Sequence, residues 1–364
     1  MKTKAVFPGQ YVQGQGVLND LPEIVNLFGS RGLLLTSQTG VNKILPAYEN
    51  ILNSENITVE LFKGECCEDE LERLIHIVKK EKIDVVIAMG GGKAIDTGKI
   101  TADRACLPVI VVPTIASTDA PCSGCAVTYT PSGIFEAVHY QKRNPAVVLV
   151  DMDIIVKSPT RFIVSGMGDA LATWFEARSC NRTQSLNECG ALSTITALNL
   201  AKLCYDTILK YGVQAKIASE SGVITPALNY ITEANILLSG IGFESSGLAA
   251  AHSVHNGLTA LDETHSFYHG EKVAFGVLTG LHLNSADPEE IEEVYSFCEK
   301  VGLPTTFKEV GINEINMDKL KTVAEKSCEP GQYIHHEAGE ITPEKVISAM
   351  IMADALGRER KTIK

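Results

Sequence analysis

The sequence predicts two domains, an α/β Rossmann-like N-terminal domain over residues 1–158 and an all-α helical domain over 159–364. Three observations carry this. Short apolar runs alternate with helical patterns up to about residue 155, strand-like runs stop after Ser158-Pro159, and 364 residues exceed one comfortable core.

In order, Gly32–Ser37 (GLLLTS) reads as a buried parallel strand, Val41–Asn53 as a helix and Ile57–Phe62 as a second strand. Glu68–Lys82 has apolar residues at Leu71, Leu74, Ile75 and Val78, which makes one helix face apolar and leaves a charged one outside. The strand Asp84–Met89 runs into Gly90-Gly91-Gly92-Lys93 and the helical AIDTGKITADRA. Pro108–Val112 and Ala146–Asp151 are further buried strands, with a rim hairpin around Pro131-Ser132-Gly133 between them. Pro159 suits a helix start, so the border falls there. Helices are then expected at Thr160–Ser179, Asn187–Lys210, Thr225–Ser239, Gly247–Leu261 and Glu271–Asn284.

Composition narrows the class. A net charge of −12 with no basic block argues against nucleic acid as a partner. No apolar run approaches membrane-spanning length and the N-terminus lacks a signal-peptide core, so the expectation is a cytoplasmic protein with no membrane partner. Ten cysteines in such a chain are expected reduced, and the C-x-x-C at Cys122–Cys125 lacks the context of a redox or zinc motif.

Four of the nine histidines, His252, His255, His265 and His269, fall in Gly247–Gly270. His252 and His255, three residues apart, share a helix face, and a helix–loop–helix path can bring His269 back toward them. Two neutral imidazoles with a carboxylate from elsewhere would form a divalent-metal site with open positions; ordinary core and surface histidines are the bland alternative. Asp169, in Gly166-Met-Gly-Asp169, is either a helix cap or that missing carboxylate. The glycines at 90–92 let backbone N–H groups approach an anion at a helix start, or simply make a tight turn. Asp96 would cap that helix or hold a ligand hydroxyl. The hydroxyl-rich Pro113–Pro121 follows another strand end, where parallel sheets bind ligands; a solvated turn capped by Asp119 is the alternative.

GGGKAIDTGK, PTIASTDAPCSG, RNPAVVLVDMDII, GMGDALATWFEAR and GLAAAHSVHNGLTAL…THSFYHGEKVAFG, in this order, resemble the iron-containing (group III) alcohol dehydrogenase family, in its polyol-oxidising branch. The resemblance runs from Tyr11 to the mid-300s and implies a dehydroquinate synthase-like architecture. It implies Asp169, His252 and His269 as ligands of one divalent metal, zinc in this branch with iron the alternative. It implies Asp119 as the polyol contact and His255 as a supporting or proton-relay group. Gly91, Gly92, Lys93 and Asp96 would surround the cofactor pyrophosphate. Thr114 and Thr118 would touch its adenine side, while Ser123, Cys125, Val127 and Tyr129 would line the nicotinamide side. The implied reaction takes glycerol, or a similar small vicinal diol, to dihydroxyacetone with hydride transfer to NAD, in a homo-oligomer that homologues suggest is an octamer. Two rivals, a glycerol-1-phosphate dehydrogenase and a dehydroquinate synthase-like cyclase, would need cationic groups beside the metal, and Gly247–Gly270 has no lysine or arginine. One departure stands out. Thr36-Ser37-Gln38, after the first strand, lacks the acidic residue that commonly holds the adenosine ribose, which removes a reason to exclude NADP; NAD remains the expectation.

Overall fold

A computed structural model describes residues 1–362; the last two residues of the expected second domain lie outside the described residues. The chain divides into two compact units, one of Phe7–Ser158 with Gly222–Ile224, the other of Met1–Val6, Pro159–Ser221 and Thr225–Lys364. Helices of eight or more residues are numbered below.

The α/β unit contains β1 (Tyr11–Gly14), β2 (Gly32–Thr36), β3 (Ile57–Leu61), α1 (Glu68–Lys80), β4 (Val85–Gly90), α2 (Gly92–Ala105), β5 (Val109–Pro113), β6 (Cys125–Tyr129), β7 (Phe135–Tyr140) and β8 (Val147–Asp151). Six strands form a parallel sheet in the order β1-β8-β5-β4-β2-β3, and β6 and β7 form a separate antiparallel ribbon. Order follows composition: the uninterrupted apolar strands β2, β4, β5 and β8 are central and wholly buried, while the mixed β1 and β3 take the edges. Strand β1, too short and polar to read from sequence, is held by register with β8 from Tyr11↔Val148 to Gly14↔Asp151. The expected helix Val41–Asn53 is broken into a wide turn at Gly40–Ile44, a tight turn at Leu45–Ala47 and one α-turn at Glu49–Leu52. Pro46 explains this, since its ring removes a backbone donor and disfavours helix in the residue before it.

From β2 the chain goes outward to β3 and then crosses back to β4 on the other side of β2. This reversal opens a crevice outside the carboxyl ends of β2 and β4, where open α/β sheets take ligands.

The helical unit contains α3 (Thr160–Thr183), α4 (Ile195–Glu220), α5 (Pro226–Glu233), α6 (Ser239–Ser246), α7 (Ala250–Leu258), α8 (His269–Leu283), α9 (Pro288–Val301), α10 (Met317–Ser327) and α11 (Pro343–Thr362). Helix α4 starts eight residues after the expected Asn187, because Thr194 caps it through the Ala197 N–H. The Asn187 side chain instead fastens the preceding loop, accepting from the Cys189 and Ala191 N–H groups and donating to the carbonyls of Lys4 and Ser245. Among the described residues no helix is long and apolar enough to cross a membrane. Among the described residues no disulfide joins any of the ten cysteines.

Candidate active site

Three helices of the helical unit converge where their backbones touch. A Cβ on Gly270 would lie 1.8 Å from the Ser165 carbonyl oxygen, and one on Gly168 would lie 2.3 Å from the Gly270 carbonyl oxygen. Only glycine at both positions lets α3 meet the start of α8, which sets Asp169 beside His269. A Cβ on Gly276 would lie 2.3 Å from the Ala251 carbonyl oxygen, so α8 approaches α7 with equal closeness and brings in His252.

One ligand atom each from Asp169, His252 and His269 lies within 4.8 Å of the others. Asp169 Oδ1 is 3.0 Å from His269 Nε2 and 3.5 Å from His252 Nε2. Protons are committed elsewhere. His252 Nδ1 lies 2.6 Å from Glu176 Oε2, so that nitrogen donates and Nε2 keeps its lone pair. Asn256 donates to Gln332 Oε1 and turns its own oxygen to His255 Nδ1 at 3.1 Å. His255 therefore donates from Nδ1 and accepts at Nε2, 3.0 Å from His269 Nδ1, which leaves the His269 Nε2 lone pair facing Asp169. Two imidazole lone pairs and a carboxylate oxygen thus share one small space, a donor set that suits a divalent cation.

Burial alone would raise the Asp169 carboxyl, but His269 and His252 hold it well below the usual carboxylate range. Burial would likewise lower His252, yet Glu176 and Asp169 push it well above the ordinary imidazole range. The same contacts thus raise the proton affinity of His252, and a cation bound at Nε2 would displace that proton. At His255 burial dominates and the neighbouring His269, Lys272 and His252 act in the same direction, so its pKa lies well below the ordinary imidazole range and its ring is held neutral.

Glu176 escapes a sequence reading, although its position seven residues after Asp169 on α3 puts both on one helix face. Its Oε1 accepts the N–H groups of Ala249 and His252, both at 2.9 Å, so it closes the first turn of α7 while holding the His252 ring. Glu337 accepts the next N–H, that of Ala250, at 3.1 Å. Two carboxylates at a helix N-terminus also suit its dipole.

In the α/β unit, Gly91 precedes α2 and Gly92 begins it. A Cβ on Gly92 would meet nothing within 4 Å, whereas one on Gly91 would lie 3.1 Å from Ile115 Cδ1, so the start of α2 has room beside Gly92 for a ligand that its N-terminal amides could meet. Lys93 stands over the Tyr129 ring, 4.9 Å from its centre, and is paired with Glu65 at 2.6 Å. Asp96 is buried and turned to β6, where its Oδ2 accepts the Val127 N–H at 3.2 Å. Burial raises its carboxyl to about 6, with Lys99 acting in the other direction. The Thr114 N–H donates to the Gly90 carbonyl and ties the loops after β4 and β5 together. Thr118 is half-buried beside the buried Asp119. Along β6, Cys125, Val127 and Tyr129 are half-buried on one face while Ala126 and Thr128 are buried on the other, the period of two that a strand imposes. Ser123 is buried with its Oγ 3.4 Å from Cys125 Sγ.

Residues 8–152 match the family model of iron-containing alcohol dehydrogenases. Glycerol dehydrogenase of Thermotoga maritima is 50% identical over 366 residues, covering 100% of both chains. The crystal structure of a probable glycerol dehydrogenase from Sinorhizobium meliloti 1021 superposes with a TM-score of 0.93 at 41% identity, covering 98% of this chain and 100% of that one. That of glycerol dehydrogenase from Schizosaccharomyces pombe gives 0.93 at 35% identity, covering 98% and 92%. An α/β unit with a parallel sheet, a helical unit with an Asp-His-His cluster and full-length likeness to these proteins have one common explanation: the chain belongs to the iron-containing alcohol dehydrogenase family.

Proposed function

We propose that this chain is a metal- and NAD-dependent polyol dehydrogenase that oxidises glycerol, or a similar small vicinal diol, at the secondary hydroxyl to dihydroxyacetone. The observation that carries the metal half is the convergence of Asp169 Oδ1, His252 Nε2 and His269 Nε2 with both histidine protons committed to Glu176 and His255. A divalent ion bound there supplies Lewis acidity to an alcohol substrate. Zinc is our choice, with iron(II) the alternative, because imidazole and carboxylate donors suit both.

The protein's own groups have separate tasks. Glu176 fixes the tautomer and tilt of His252, and His255, kept neutral by burial, orients His269. The amides of Gly91 and Gly92, with Lys93, receive the pyrophosphate of the cofactor. Asp96 holds β6 in place, so Cys125, Val127 and Tyr129 present a fixed wall to the nicotinamide side, with Ser123 beneath them. Thr114 and Thr118 serve the adenine side, and Asp119 accepts a hydroxyl of the polyol. When bound, the cofactor would supply the hydride acceptor, and the residues named here would hold and orient it. Residues 7–158 act in this reading as the dinucleotide-binding part, and the helical unit as the part that binds metal and substrate. A homo-oligomer, an octamer by the resemblance, and a cytoplasmic location complete it. The glycerol-1-phosphate and cyclase alternatives are not favoured, since the relatives named above are glycerol dehydrogenases.

The test is NADH formation from glycerol and 1,2-propanediol before and after chelation and zinc addition, with NADP in parallel. Turnover with NAD that chelation abolishes and zinc restores is the expected result. Turnover with NADP alone would overturn the cofactor assignment. Metal-loaded protein inert toward every diol would overturn the substrate class.

A further inference from the structure

One buried cation of the α/β unit has no part in the roles above. Lys99, on α2, is only 1% exposed, and a buried ammonium is tolerated when its donors are met. It has three donors and finds three acceptors: the Ala120 carbonyl at 2.9 Å, Ser123 Oγ at 3.2 Å and the Cys125 carbonyl at 2.5 Å. All three belong to the segment that leads from β5 into β6. Asp96, one turn earlier on the same face of α2, takes the Val127 N–H. One helix face therefore grips Ala120–Val127 at four points. An apolar side chain of similar length would fill the space but leave the inward-facing carbonyls without this donor.

Resting on the dehydrogenase reading above, we propose that Lys99 is a positioning residue for the cofactor. Its ammonium sets the path of Ala120–Cys125 and so the placement of Ser123 and Cys125 on the nicotinamide side. Asp119 stands one residue before the first anchored carbonyl, so the same grip governs where its carboxylate sits. Lys99 itself touches neither cofactor nor substrate in this assignment.

The experiment titrates metal-loaded, full-length protein with NADH by cofactor fluorescence and follows melting temperature in parallel. Lys99→Met removes all three hydrogen bonds, and Lys99→Gln keeps a donor and is the variant to rely on should the first not fold. Val25→Ala, a fully buried truncation packed with the cluster around Leu34 and Ile87, reports what a stability loss does by itself. The expected result is a dissociation constant raised about tenfold in Lys99→Met and about threefold in Lys99→Gln, because small misplacements of a site are costly. Steady-state KM for NAD rises more than kcat falls, and Val25→Ala melts earlier yet binds NADH like the wild type. Lysine variants that melt earlier but bind NADH as tightly as Val25→Ala overturn the inference and leave Lys99 a purely structural residue. A wild-type protein that fails to bind NADH overturns the dehydrogenase reading and this inference together.

Discussion

Glu176 holds His252 at two places at once: one carboxylate oxygen lies 2.6 Å from ring Nδ1, and the other accepts the backbone N–H of the same residue at 2.9 Å. Ring and backbone are therefore fixed by one rigid group on a different helix. Replacing Glu176 with Gln keeps the shape but puts a neutral amide against Nδ1. Metal affinity, read by competition with a chelator, should fall about 10–100-fold, the usual effect of losing such a partner. Affinity unchanged within about twofold would show that His252 needs no such support.

Gly92→Ala separates folding from cofactor binding. Beyond its chain neighbours and its own turn of helix, the new methyl group meets no protein atom within 4 Å, so stability should hold or rise by about 0.5 kcal/mol. It would nonetheless stand in front of the α2 amides, and NADH should bind at least about tenfold more weakly. Calorimetry and a fluorescence titration on one sample decide the matter. Gly270→Ala is the contrast: with the Ser165 oxygen 1.8 Å from the added carbon, that variant should lose several kcal/mol, or about 3 or more.

The pairing of Lys93 with Glu65 at 2.6 Å sets an acid against the cation assigned to the pyrophosphate. Glu65→Gln should tighten NADH binding about two- to fivefold, with the gain shrinking as salt is added. Lys93→Met should weaken it. If both variants bind alike, Lys93 has no electrostatic role in cofactor capture.

Asp96 carries a pH signature. Its carboxyl is raised by burial from 3.8 to about 6, so the folded state holds its proton more tightly than the unfolded chain does. That contribution is fully present below about pH 4 and is lost as pH rises through about 6, a change of about 3 kcal/mol. Denaturant unfolding at pH 5 and pH 7 should show a smaller decline for Asp96→Asn than for the wild type. Equal declines would place the proton elsewhere.

Much of this architecture is legible in sequence because it depends on local pattern. The runs GLLLT, VVIAMG, VIVVP and VVLVD became the central strands, since four or five successive apolar residues can be buried only between two layers. The approach of His252, His255 and His269 follows from helical spacing and one return loop. What sequence hides are tertiary partners. Glu176, Glu65 and Lys99 look like ordinary helix or loop charges, and only packing reveals that each faces a particular acceptor or donor. Edge strand β1 has no apolar run to betray it, and its order comes from β8. Pro46 stands in the sequence inside the expected helix Val41–Asn53, and its missing donor and its restriction of Leu45 are local reasons for the break found there.

Met1–Val6 belongs with the helical unit although 152 residues of the other unit follow it directly, from Phe7 to Ser158. Lys4 and Leu192 pair through their backbones, as do Leu192 and Lys2, and the Val6 N–H donates to Ser245 Oγ. A ribosome making about 20 residues per second needs on the order of ten seconds to travel from Val6 to Ser245. During that interval the opening residues are tethered to a sheet that can already close, while their own partners do not yet exist. The α/β unit is thus an insertion within the helical one, and the first residues synthesised must wait for Leu192 and Ser245 before they join their own unit.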